Sequence, residues 1–185
     1  MNKPFQPGFR YGDEVQGFSA DEFLHMLSLG AFDHMKVELV DRRIVRMSPS
    51  HSEHGRMMAR TIYALASVYG VDRIMPDTVL KLGDTTVRAF DVAVLYPVGN
   101  PGPVLAPAEV FLGLEVSDSS LAKDLGEKQI DYARAGIANY WVVDVKGGVV
   151  HLMTRPEGDE YKVRTVQDVR AAIQLPDGAG SITLS

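Results

Sequence analysis

The chain of 185 residues contains no cysteine, a single tryptophan and no apolar run that approaches membrane-spanning length. Without cysteine there are no disulfides, thiolate zinc sites or cysteine nucleophiles, and Asp, Glu and His remain as the strong metal ligands. A reducing cytoplasm is the compartment this suits. The N-terminal stretch Met1 to Gly17 mixes Pro4, Pro7, Gly8 and Gly12 with charges and lacks the apolar centre of an export leader, so it reads as an extended arm, and no membrane partner is expected. Positive charge is also in short supply. Lys and Arg number 19 against 24 Asp and Glu, a formal net charge of -5. Phosphate contacts need a positive face, so this balance argues against a nucleic-acid partner. Carboxylates gathered to hold a divalent cation inflate the same count, however, and the deficit alone does not decide the matter.

What is present is ordinary for a globular chain: 45% hydrophobic and 23% charged residues, at a length that closes one sizeable core. Residues 18–185 are therefore expected to form one domain. Ser19-Ala20-Asp21-Glu22 has the form of a capping box, and Phe23, Leu24, Leu27 and Ala31 follow at helical spacing, with a stop near Gly30. Lys36 to Val40 and Ile44 to Met47 alternate around Asp41-Arg42-Arg43 and predict a hairpin. After a break at Ser48-Pro49-Ser50, Met58, Ile62, Leu65, Ala66 and Tyr69 mark a second helix that ends at Gly70. Three strand-like runs follow, Asp72 to Met75, Thr78 to Leu82 and Thr86 to Tyr96, divided at Pro76-Asp77 and Gly83-Asp84. Four prolines and two glycines between Pro97 and Pro107 predict a surface loop. Val110 to Ser117, a helix over Ala122 to Ala135 and the apolar Tyr140 to Val143 then read as a strand-helix-strand crossover between parallel strands. Val149 to Met153, Tyr161 to Thr165 and Ile182 to Leu184 read as peripheral strands.

Two acids stand where a structural role favours apolar residues. Asp91 interrupts Ala89-Phe90-Asp91-Val92-Ala93-Val94-Leu95, and Glu115 interrupts Phe111 to Ser117. An unpaired buried carboxylate costs several kcal/mol, so each requires a cation, a hydrogen-bonding partner or an escape to solvent at a strand end. Together, on strands that could be neighbours, they suit a hard divalent cation such as Mg²⁺ or Mn²⁺. His51 and His54 beside Glu53 offer only two imidazoles, and a polar helix N-terminus explains them better than zinc does. Tyr140 and Trp141 read as core rather than as base-stacking platforms.

The ordered set Val37-Glu38-Leu39-Val40-Asp41, Met47-Ser48-Pro49-Ser50, Phe90-Asp91-Val92-Ala93, Leu114-Glu115-Val116-Ser117, Gly126-Glu127-Lys128, Tyr132 to Ile137 and Tyr140 to Asp144 resembles the restriction-endonuclease family called Uma-two, over nearly the whole chain from Phe18 onward. That family is placed in the PD-(D/E)XK superfamily. The resemblance implies an α/β fold with a mixed central sheet flanked by helices, and Mg²⁺-dependent cleavage of DNA phosphodiesters. It implies Asp91 and Glu115 as metal ligands, Glu38 as the additional upstream acid completing the shell, and no organic cofactor. Phe90 stands in place of the superfamily's proline and Ser117 in place of its lysine. Lys128, one helix later, is the substitute that the resemblance suggests, and four residues on, Tyr132 shares its helical face. Lys123, five residues before Lys128, is expected at another angle and hence outside the site. A homodimer suits double-strand cutting, and the alternative is a non-catalytic binding module on the same fold.

Overall fold

A computed structural model describes residues 17–47, 51–97 and 101–185. Nearly all of the N-terminal arm and the Ser48-Pro49-Ser50 break lie outside the described residues. Helix α1 (Ala20–Ser28) opens with the expected capping box: the Ser19 hydroxyl accepts from the Glu22 amide, and the Glu22 carboxylate accepts from the Ser19 amide at 2.8 Å. Strands β1 (Val37–Val40) and β2 (Arg43–Arg46) form the hairpin. Helix α2 (Ser52–Tyr69) stops at Gly70, whose φ of 83° suits glycine. It buries Met57, Thr61, Leu65 and Tyr69, with Met58, Ile62 and Ala66 packed at the margin.

The separate runs expected on either side of Pro76-Asp77 are one strand, β3 (Ile74–Lys81). Asp77 absorbs the irregularity with φ 52°, and the strand lies at the border of the sheet, where proline is tolerated. Asp72 and Arg73 belong instead to a 3₁₀ turn (Val71–Arg73). Strands β4 (Val87–Leu95), β5 (Val110–Ser117) and β6 (Asn139–Asp144) form the centre, and β7 (Val149–Glu157) and β8 (Glu160–Asp168) extend it. A two-stranded sheet pairs β10 (Ser181–Ile182) with β9 (Ile173–Gln174), a strand too short for the pattern to show. The main sheet runs β2-β1-β4-β5-β6-β7-β8, with β3 on the other edge of β4. Only β5 and β6 pair in parallel, which makes the sheet mixed.

Between β5 and β6 the expected single α-helix has three parts: α3 (Leu121–Lys123), a π-helical turn (Asp124–Lys128) and α4 (Gln129–Arg134). One core layer joins α2 to Val92, Val94, Leu112, Leu114 and Trp141; the other joins α4 to Phe90, Ala93, Tyr132, Tyr140 and Val142. Tyr140 and Trp141 are both buried, one in each layer. Strict alternation would keep Phe90 and Val92 in one layer, so the pleat slips beside Asp91. Among the described residues no helix is long and apolar enough to cross a membrane.

Candidate active site

A fork in the sheet creates the site. While β3 occupies one full edge of β4, the other edge is shared: β1 pairs at Val87 through Leu39, and β5 pairs from Val92 to Leu95. Between these points Arg88 to Asp91 face the gap where β1 and β5 diverge. Extending each antiparallel register by one residue sets Glu38 opposite Arg88 and Asp91 opposite Glu115. Where the backbones have separated, the Asp91 carboxylate replaces the missing ladder bond, and its Oδ2 accepts from the Val116 amide at 2.8 Å. His54 Nε2, from α2, also contacts Oδ2 at 3.1 Å.

Glu115 is buried and accepts from Lys128 Nζ and from the Tyr132 hydroxyl through Oε1, each at 2.9 Å. Lys128 is buried as well, with Glu38 Oε1 at 3.5 Å and Asp124 Oδ1 at 3.7 Å. Ser117, at the position where the superfamily carries lysine, donates to Asp124 Oδ2 at 2.6 Å. Ser117 thus fastens the helical turn that supplies Lys128. Tyr132 is held in turn by Phe90, with ring centroids 4.3 Å apart, and Gly113 leaves room for that ring, since a Cβ there would fall 2.2 Å from it.

Glu38 is surrounded by cations. Its Oε2 accepts from Arg88 Nη1 at 3.0 Å and from Lys123 Nζ at 2.9 Å, and its Oε1 faces Lys128. Arg88, itself buried, is shared with Asp131 at 2.6 Å. Burial disfavours the charged Glu38, but Lys128, Arg88 and Lys123 outweigh it and hold its pKa at about 2. Glu115 goes the other way: burial pushes its carboxyl well above the usual range despite Lys128. For Asp91, the bonds from His54 and Val116 overcome burial and lower the pKa, while the same bond raises that of His54. Burial would neutralise Lys128, yet Glu115, Glu38 and Asp124 keep it charged.

The structure therefore brings Glu38, Glu115 and Lys128 into direct contact and places Asp91 beside them. Among the described residues no group of three His, Cys, Asp or Glu side chains is arranged to hold a metal ion. The expectation of a three-carboxylate shell meets a different arrangement, in which Glu38 is the counter-charge of three cations. Asp91 and Glu115 are the acids suited to a cation: each lines a cleft of about 400 Å³, and Asp91 Oδ1 and Glu115 Oε2 take no hydrogen bond from any described residue. Glu53 turns away to Arg56 and gives His51 and His54 no help as zinc ligands. Sequence reading missed Arg88. An arginine inside the apolar run of β4 was the available signal, since such a charge needs buried partners.

Lys123 is a correction. In a regular α-helix five residues subtend about 140° between side chains. The π turn, with its i→i+5 bonding, instead brings residues five apart onto one face. Lys123 and Lys128 consequently meet at Glu38.

The Glu38 shift makes acid stability testable. A carboxyl whose folded pKa lies below its unfolded value contributes stability that is present above pH 5 and is lost as the pH falls towards 2, here about 3 kcal/mol. Glu38→Gln is expected to melt well below the parent at pH 7, with the gap narrowing as the pH is lowered to 3. A gap of constant size across calorimetric scans at these pH values would show that ion pairing at Glu38 is not the source.

A mixed sheet flanked by helices, with acids at the fork of its central strands, is the restriction-endonuclease-like fold. A crystal structure described as "a putative nuclease belonging to DUF820" from Anabaena variabilis matches it with a TM-score of 0.71, covering 90% of this chain and 95% of that one at 17% identity. At that identity the likeness concerns the fold alone. The family model Uma2, described as "Putative restriction endonuclease", matches residues 20–185, and the chain belongs to that family. No curated protein matches the sequence.

Proposed function

We propose that the protein is a divalent-metal-dependent endonuclease that hydrolyses DNA phosphodiester bonds, with Asp91 and Glu115 as the metal ligands. Family membership supports nuclease function in general. The observation that carries the finer reading is the meeting, at the fork, of two carboxylates that each keep one oxygen for the cleft and a buried lysine 2.9 Å from one of them. Mg²⁺, or Mn²⁺ in its place, would polarise the phosphoryl group and lower the pKa of the attacking water.

The chain's own residues orient and charge the site. His54 and the Val116 amide hold Asp91 Oδ2, which directs Oδ1 outward. Lys128 supplies fixed positive charge for the anionic transition state, and Glu38 and Asp124 keep it charged and in place. In this reading Glu38 acts through Lys128 rather than as a metal ligand. Two copies of the chain would cut both strands of a duplex.

Mn²⁺ at millimolar concentration is expected to raise the melting temperature of the parent and not that of Asp91→Asn, and the parent alone is expected to nick supercoiled plasmid. DNA binding with no metal-dependent melting shift and no nicking would favour a non-catalytic nucleic-acid or protein binding module, the reading that Ser117 and the acidic net charge support.

A further inference from the structure

The two lysines that the π turn brings to Glu38 are in different situations. Lys128 is enclosed, with 4% of its side chain exposed, whereas Lys123 is 31% exposed and lines the cleft. Among the described residues Lys123 donates one hydrogen bond, 2.9 Å to Glu38 Oε2, and that oxygen also accepts from Arg88 at 3.0 Å. Glu38 therefore keeps a buried guanidinium and a buried ammonium if Lys123 departs. Glu38 is buried, so the two cations it retains, Arg88 and Lys128, are what limit the cost of releasing the partly exposed lysine. Lys36, which pairs with Asp77, and Arg46 also line the cleft, together with Asp118 and Glu127.

We propose that Lys123 is a substrate-binding residue, parked on Glu38 in the free protein and transferred to a phosphodiester oxygen of the bound nucleic-acid strand, next to the phosphate that faces Asp91 and Glu115. This rests on the nuclease reading above and adds to it a named phosphate contact outside the metal ligands and Lys128. The π turn has a direct role here: in a regular α-helix Lys123 would point away from the cleft. Glu38 in turn has two duties, holding Lys128 permanently and Lys123 only until substrate arrives.

The test is equilibrium binding of a fluorescent DNA duplex to the full chain, in EDTA so that nothing is cleaved, across a series of salt concentrations. A lysine that meets a phosphate releases about one counterion, so Lys123→Gln is expected to weaken binding and to lower the slope of log Kd against log salt by about one. Lys123→Arg is expected to restore the slope. Lys162→Gln, on strand β8 at the far border of the sheet, serves as the control for bulk charge and is expected to leave the slope unchanged. Melting of Lys123→Gln is expected to stay close to that of the parent, because Arg88 and Lys128 remain on Glu38. An unchanged salt slope in Lys123→Gln, or a variant that loses its fold, would make Lys123 a structural counter-ion and overturn the inference while leaving the nuclease reading intact. A parent that binds no DNA at any salt concentration would overturn both.

Discussion

Glu115→Gln is expected to reduce metal-dependent cleavage to background while the metal-free protein melts no lower than the parent. Glutamine has the same shape as the buried glutamate and fits the same enclosed place. Glutamine can still accept from the Tyr132 hydroxyl, and Lys128 keeps Glu38 and Asp124 as counter-charges. The substitution also removes one of several crowded acids, which relieves repulsion in the empty site. What it removes is the anionic oxygen directed at the cleft. Asp91→Asn is expected to lose activity in the same way. Plasmid nicking alongside calorimetry without metal separates the two effects. A large fall in melting temperature for Glu115→Gln would make Glu115 a structural acid and count against the site.

Lys128→Ala has the second large effect, and it acts on both rate and stability. Deleting the ammonium leaves Glu115, Glu38 and Asp124 around a buried gap, and stranding buried charges in this way costs about 3–5 kcal/mol. In the fraction that remains folded, loss of one preorganised positive group is expected to slow single-turnover cleavage about a hundredfold or more at saturating Mg²⁺. Lys128→Arg keeps the charge and is expected to recover stability before it recovers rate, because the planar guanidinium cannot occupy the place of a compact ammonium. Circular dichroism at the assay temperature establishes the folded fraction against which rates are normalised. A folded Lys128→Ala cutting at the parental rate would leave the transition-state charge without a source in this chain.

Several parts of this arrangement are legible from one sequence because local physics sets them. The capping box at Ser19 and Glu22 is written in four residues, and the short apolar runs of β4, β5 and β6, rich in β-branched and aromatic residues, favour buried strands. Asp91 and Glu115 stand out for the same reason, as charges inside those runs. The order strand, helix, strand around Lys128 suggests the parallel pairing that β5 and β6 make.

Other features depend on contacts between residues far apart in the chain. That Pro76-Asp77 bends β3 rather than ending it follows from pairing with β4 on both sides of the irregularity. Arg88 is uncommitted in isolation and becomes part of the site only because β1 brings Glu38 opposite it and the last helical turns bring Asp131. His54 reaches Asp91 across 37 positions, through the packing of α2 on the sheet. The π turn is the sharpest case. Residues 121–134 carry an ordinary amphipathic pattern, so periodicity assigns Lys123 and Lys128 to different faces. Ser117 and Ser120 hold Asp124 from below while Glu38 draws both lysines from the side, and these contacts favour the wider turn that places them together. Periodicity and composition thus reveal which charges must be buried; which partners neutralise them is a property of the fork between β1 and β5, where electrostatic energy depends on distances that exist only after the sheet has formed.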